Sequence, residues 1–134
     1  MPGGYSATTR GIEVTVHAKF LADQSDPENG AWVWAYRVRI HNRGTETVQL
    51  LRRTWRITDA RGRVQVVQGA GVVGEQPVLE PGELFEYTSG TPLETPSGIM
   101  VGAYHLVVVL TQEAFDAEVP AFSLDCPTAN RQVH

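Results

Sequence analysis

The stretch from Trp32 to Asn42, WVWAYRVRIHN, decides the fold class because its apolar and polar side chains alternate strictly. One face carries the apolar residues Trp34, Tyr36, Val38 and Ile40. The opposite face carries Arg37, Arg39 and His41. A period of two residues is typical of a β-strand that buries one face. Residues 12–20, IEVTVHAKF, repeat this pattern, so the sequence predicts two half-buried strands near its start.

Five further segments complete a set of seven predicted strands, at 48–59, 64–67, 84–88, 99–110 and 115–124. Turn-forming residues separate the strands, and no window shows a helical apolar period with caps at both ends. This pattern predicts an all-β, two-sheet antiparallel sandwich of the immunoglobulin or fibronectin type III kind. A β-bulge is expected near Leu50–Arg53, where the alternation fails. We expect one domain over 11–125 between flexible tails at 1–10 and 126–134.

Composition narrows the class of protein. With 134 residues, 42% of them hydrophobic and 19% charged, the chain has the profile of a globular protein with one core. Its single cysteine excludes an internal disulfide, and its net charge of -4 disfavours a nucleic-acid partner. No signal peptide begins the chain, and no apolar run approaches the roughly 20 residues of a membrane helix. We therefore expect a cytoplasmic protein without membrane insertion.

Basic residues are concentrated in one segment, where eight arginines lie between positions 37 and 63. Arg37 and Arg39 share one face of a predicted strand, and neighbouring guanidinium groups suit bidentate contact with phosphate or carboxylate. The alternative is that they pair across strands with Glu86 and Glu13. The candidate anion-binding or partner-binding arginines are Arg37, Arg39, Arg52 and Arg53.

Five sequence strings together resemble the bacterial ApaG family. They are QSDP at 24–27, WAYRVRIHN at 34–42, LLRRTWRI at 50–57, GAGVVGEQP at 69–77 and GIMVGAY at 98–104. The resemblance covers roughly residues 10–125 and implies a fibronectin type III-like sandwich. It also implies an association with cobalt and magnesium resistance or efflux. Similar domains in some eukaryotic proteins are supposed to bind proteins, and the family brings no catalytic residue set.

Three glycines, Gly69, Gly71 and Gly74, match the G-x-G-x-x-G pattern of dinucleotide sites. In such sites the glycines let backbone amides approach a pyrophosphate at the N-terminus of a helix. Pro77 and Pro81 follow too soon for that helix. Two interpretations stay open: a Gly-rich turn with unusual backbone angles, and a backbone nest that holds a small anion without a helix.

Three histidines, His17, His41 and His105, fall inside predicted strands. Imidazole suits first-row metals such as cobalt, which makes these residues weak candidates for metal ligands. No two of them stand at a spacing typical of a metal site, so the sequence assigns no metal centre. Only the fold can bring them together.

The sequence also lacks a nucleophile motif or a distinct pair of catalytic acids. We therefore predict a non-catalytic binding or regulatory module without a cofactor, whose partner is an unidentified protein. The alternative is a sensor of pyrophosphate, a nucleotide or a divalent cation, through the glycine loop and nearby Arg and His residues. The oligomeric state stays open.

Overall fold

A computed structural model describes residues 4–127 and shows two antiparallel sheets packed face to face. The first sheet has the order β1-β2-β3-β7. The second has the order β5-β4-β8-β9, with the short β6 beside the start of β4. Within the described residues the strands are β1 Gly4–Thr9, β2 Ile12–Phe20, β3 Trp32–Asn42, β4 Val48–Asp59, β5 Val64–Ala70, β6 Val78–Leu79, β7 Leu84–Leu93, β8 Ser97–Val108 and β9 Ala114–Asp125.

The prediction of an all-β, two-sheet sandwich is confirmed, whereas the narrower likeness to fibronectin type III stays a prediction. Between residues 4 and 126 the helical segments are two single 3₁₀ turns, at Ala22–Gln24 and Pro27–Asn29. None of the described helices is long and apolar enough to cross a membrane.

The core lies between the sheets and is built from the alternating apolar residues. Trp34 and Val38 from β3 are buried, as their parity predicts. An aromatic cluster joins the sheets, since the Trp55 ring lies 5.4 Å from Tyr36 and 6.0 Å from Phe122 between centroids. Burying one large apolar side chain contributes about 1.5–3 kcal/mol, so this alternation is the main source of stability.

The predicted N-terminal tail contains a strand, which corrects the flexible stretch expected at 1–10. Gly4–Thr9 pairs antiparallel with β2. Arg10 and Gly11 both have positive φ, 50° and 82°, which is the geometry of a type I′ hairpin turn. The turn returns the chain directly onto β2, and a six-residue strand is too short to show a clear apolar period. Residues 1–3 of this predicted tail lie outside the described residues.

The C-terminal end also differs from the predicted tail at 126–134. Cys126 is buried against the core. Residues 128–134 of that predicted tail lie outside the described residues.

The second unpredicted strand, β6, is only two residues long. It pairs with the first residues of β4. The buried Asn42 amide donates to the carbonyl of Leu79 at 2.9 Å and to that of Glu46 at 2.7 Å. A two-residue strand has no period, so this tertiary contact, rather than a local pattern, defines β6.

The expected bulge is present in β4. The pairing of β4 with β8 shifts register between Leu50 and Arg52. The extra residue changes the side-chain parity after it, so Arg53 shares the core-facing side of the strand with Trp55. Arg52 is exposed on the opposite side. This one-residue shift determines which of the two neighbouring arginines reaches the surface.

Candidate interaction face

The outer surface of the first sheet, called the first face, carries Arg37, Arg39 and His41 on β3, as predicted. Arg39 forms an ion pair with Glu86 on β7, with 3.4 Å between Nε and Oε2. The predicted partner Glu13 instead contacts Arg43 at 3.4 Å and His41 at 3.9 Å.

Arg37 lies opposite His17 on one side and Thr88 on the other, without an ion pair to any described residue. The first face therefore compensates much of its positive charge with carboxylates from neighbouring strands.

Arg53 is a structural cation, and this role differs from the anion-binding or partner-binding one predicted for it. Its Nη1 donates to the carbonyls of Ala70 at 3.1 Å and Gly71 at 2.7 Å. Its guanidinium also covers Gly69, where a Cβ would lie 2.9 Å from Nη1. These contacts hold the end of β5 against β4 and leave Arg53 turned away from the face that Arg52 occupies.

Two tyrosine hydroxyls form a hydrogen bond in the core near Arg53. They belong to Tyr87 on β7 and Tyr104 on β8, and the bond links the two sheets. Burial raises the pKa of both hydroxyls above the usual value, and the positive charge of Arg53 acts in the opposite direction. The tyrosines are therefore neutral partners that satisfy each other's polar groups inside the core.

The glycine loop is explained by close backbone contacts. Gly71 has φ of 61°, its amide donates to the Leu51 carbonyl at 2.8 Å, and a Cβ there would lie 2.1 Å from the Glu75 carbonyl oxygen. Val73 and Gly74 have φ of 43° and 82°, so they form the centre of a type I′ turn.

Backbone bonds of 2.8 and 2.9 Å between Val72 and Glu75 close that turn. Among the amides of the loop, those of Gly71, Val72 and Glu75 are thus already used, and the carbonyls of Ala70 and Gly71 face Arg53. The geometry favours the Gly-rich turn over the anion nest.

The three candidate histidines do not come together. His17 and His41 lie on the first face, and His105 lies on the outer surface of the second sheet. Within residues 4–127 no three His, Cys, Asp or Glu side chains are placed to hold a metal ion. His17 is packed beneath Gly4, where a Cβ would lie 2.7 Å from Nε2.

His105 is the centre of a polar chain across three strands. Its Nδ1 lies 2.7 Å from the Asp116 carboxylate, and its Nε2 lies 2.7 Å from the Thr54 hydroxyl. The order of groups is that of a catalytic triad, but Asp116 is 63% exposed on an open sheet surface. Water reaches such a surface, whereas electrostatic stabilisation is strongest in sites that exclude water. These two hydrogen bonds hold the His105 ring in place and link β8 to β4 and β9.

The outer surface of the second sheet, called the second face, combines exposed cations with exposed apolar side chains. Arg52 and Arg56 project from β4, and neither forms an ion pair with a residue in 4–127. Val64 and Val66 on β5 and Ile99 on β8 are 48%, 56% and 53% exposed. Val64 and Val66 are neighbours on the outer side of β5, and Thr58 separates Val64 from Ile99. Exposed apolar groups concentrated on one surface are a common mark of an interaction site.

An open groove of about 1000 Å³ crosses the second face. Arg56 and Val66 line one side, Asp116 and Glu118 line the other, and His105 lies among the lining residues. The Arg-rich middle of the sequence and its acidic later part thus meet on one surface, as two parallel rows of opposite charge.

Sequence reasoning named only Arg52 of this second face among its candidate arginines. It missed Arg56 and the exposed residues Val64, Val66 and Ile99. The signal that could have identified this face was the spacing of Val64 and Val66, which places both on the same side of β5. Apolar residues on the solvent side of an edge strand are unusual and indicate a contact.

Comparisons with known proteins agree with this architecture. The ApaG domain family matches residues 22–108. The protein ApaG of Rhodospirillum centenum is 64% identical over 123 residues, covering 92% of this chain and 94% of the relative. That of Paramagnetospirillum magneticum is 66% identical over the same share of each chain. A Bordetella pertussis crystal structure bearing the name ApaA has a TM-score of 0.84 and 47% identity, over 87% of this chain and 94% of that one.

Proposed function

Because this chain belongs to the ApaG domain family, we propose that it is a non-catalytic module that binds a protein partner through the second face. The observation that carries the proposal is the combination of two exposed, uncompensated arginines with three exposed apolar side chains on one sheet surface. Arginine is one of the residues that dominate the binding energy of interfaces, and the contacts around such residues exclude water from them.

The first face is a less suitable binding surface than the second. Its Arg39 and Arg43 already contact carboxylates, and its exposed apolar residue, Leu84, stands at the beginning of β7. A partner that displaced those carboxylates would have to compensate for them. The second face presents cations and apolar area that a partner can use directly.

The association of the family with cobalt and magnesium also needs a place in the proposed function. The described residues gather no cluster of three His, Cys, Asp or Glu side chains for a divalent ion, and the carboxylates of Asp116 and Glu118 share the second face with arginines. We therefore propose that the partner protein, and not this module, handles the metal ion, and that the two meet in the cytoplasm.

Affinity capture with matched charge reversals tests the proposal. The double variant Arg52→Glu/Arg56→Glu alters the second face, and Arg37→Glu/Arg39→Glu makes the same change in charge on the first face. We expect the first variant to lose a partner that the wild type and the second variant both retain. A partner lost only with the Arg37→Glu/Arg39→Glu variant would place the interface on the first face and overturn the assignment.

A further inference from the structure

The edge of β5 has unused backbone hydrogen-bonding groups. Two hydrogen bonds at the ends of β5 show which of its residues bond to β4. The Asp59 amide donates to the Arg63 carbonyl at 3.0 Å, and the Gly71 amide donates to the Leu51 carbonyl at 2.8 Å. Odd-numbered residues of β5 therefore direct their amides and carbonyls towards β4. Val64, Val66 and Gln68 direct theirs away from the sheet, where no described strand pairs with them.

The other edges of the described sandwich are protected. Strand β7 carries Glu86 and Pro92, and charge and proline both discourage strand pairing. Strands β1 and β9 lie beside each other, where the Glu118 amide donates to the Thr9 hydroxyl at 3.4 Å. In contrast, β5 reads VQVVQGA, with neither a charge nor a proline over seven residues. An exposed apolar edge of this kind is a template for a further strand.

A cavity of about 550 Å³ opens beside the start of β5, between the edges of the two sheets. Its lining combines the apolar residues Ile57, Val64, Pro92 and Leu93 with Arg63, which is ion-paired to Asp59 and Glu94. Because side chains of an added strand alternate, those facing the inner side would lie near this cavity. A pocket for alternate side chains beside an open edge is the usual basis of specificity in strand addition.

The outer side of an added strand would meet positive charge. Arg56 is paired with Val66 and Arg52 with Ala70, so both lie on the strand next to β5 and on its outer side. A new strand would lie about 10 Å from β4, twice the spacing of neighbouring strands. An arginine and a glutamate side chain together span that distance across the small surface of Val66.

We propose that β5 receives an extended segment of a partner protein by strand addition, and that this segment alternates apolar residues, directed inward, with acidic residues, directed outward. The inference rests on the proposed binding function and adds the mode and the chemistry of the partner. A second copy of this chain fits less well, because antiparallel β5–β5 pairing would place the Arg52 and Arg56 rows of both copies on the same surface.

A random 12-residue peptide display library selected on the full chain provides the probe. We expect enriched peptides to alternate apolar and acidic residues. Val66→Pro removes an edge-facing amide while sparing the ladder with β4, and should weaken the selected peptide at least 10-fold in fluorescence anisotropy. The matched control Val66→Thr keeps the amide and should bind within 2-fold of wild type. Arg56→Glu should weaken binding at least 5-fold.

Amide exchange measured by NMR on the wild-type protein gives a readout that needs no variant. The amides of Val64, Val66 and Gln68 should exchange at least 10-fold more slowly with the peptide bound. Unchanged exchange at these three amides would overturn strand addition even if Val66→Pro failed to fold.

The remaining outcomes separate the two proposals. Peptides that are lost with Arg52→Glu/Arg56→Glu but bind Val66→Pro normally would overturn strand addition and leave the second face as the interface. Failure of the library to enrich any alternating peptide would overturn the partner chemistry. A wild-type dimer in sedimentation that Val66→Pro dissociates would show that a second copy occupies the edge and overturn the assigned partner.

Discussion

The two outer faces of the sandwich contain similar arginines in different electrostatic settings. On the first face, strand register brings Glu86 to Arg39 and Glu13 to Arg43. On the second face, the residues opposite Arg56 are Val66 and Val101, those opposite Arg52 are Ala70 and His105, and the carboxylates stand two strands away on β9. Strand register, and not local composition, therefore decides whether an arginine stabilises the fold or stays available to a partner.

The largest change in stability is expected from the two adjacent arginines, Arg52 and Arg53, which differ in their environment. Arg53→Met removes a half-buried cation that donates to two carbonyls, and should lower the free energy of unfolding by about 2–3 kcal/mol. Arg52→Met removes an exposed side chain and should change it by less than about 0.5 kcal/mol. Urea denaturation of both variants checks this, and equal effects would show that Arg53 is not structural.

A second effect concerns the glycine loop that borders the second face. Gly71→Ala places a Cβ 2.1 Å from the Glu75 carbonyl oxygen in a left-handed backbone, and should cost about 2–3 kcal/mol. Gly74→Ala has no atom within 4 Å and should cost only the backbone strain, about 1–2 kcal/mol. Thermal unfolding distinguishes the two variants, and a milder effect at Gly71 than at Gly74 would contradict the packing explanation.

A smaller change in stability is expected from substitutions that compare an ion pair of the first face with an unpaired arginine of the second. Glu86→Gln removes the partner of Arg39 and should destabilise the fold by about 0.5 kcal/mol at low salt, less at 0.5 M NaCl because exposed pairs are screened. Arg56→Gln should cause no loss at either salt concentration. Urea denaturation at both concentrations measures this. A salt-sensitive loss with Arg56→Gln would reveal an ion pair on the second face.

The smallest expected change in stability concerns the ion pair between Arg10 and Glu113. A hydrogen bond from Arg10 holds the pKa of Glu113 below its usual 4.5. A lowered folded-state pKa contributes stability that is present above pH 4.5 and is lost as the pH falls through the folded value. Glu113→Gln should therefore flatten the stability profile of the wild type below pH 4.5. Superimposable profiles from pH 2 to 7 would contradict the pairing.

Much of the fold followed from side-chain parity, because alternation identified β2, β3 and the buried face that contains Trp34. Parity also placed Arg37 and Arg39 outward. It could not place Arg53, because the failed alternation near Leu50–Arg53 indicates a bulge but does not identify the extra residue after which the side chains change faces. The contacts of His105 with Thr54 and Asp116 also depend on register between strands that are distant in sequence.

In the function proposed for this chain, the second face, and not the first, contacts a partner. Site-specific photocross-linking in bacterial cells tests it most directly, with p-benzoylphenylalanine placed at Val66 or at Thr88, an exposed position on the first face. We predict a discrete protein adduct from position 66 that Arg52→Glu/Arg56→Glu abolishes, and none from position 88. An adduct from position 88 alone would contradict the account.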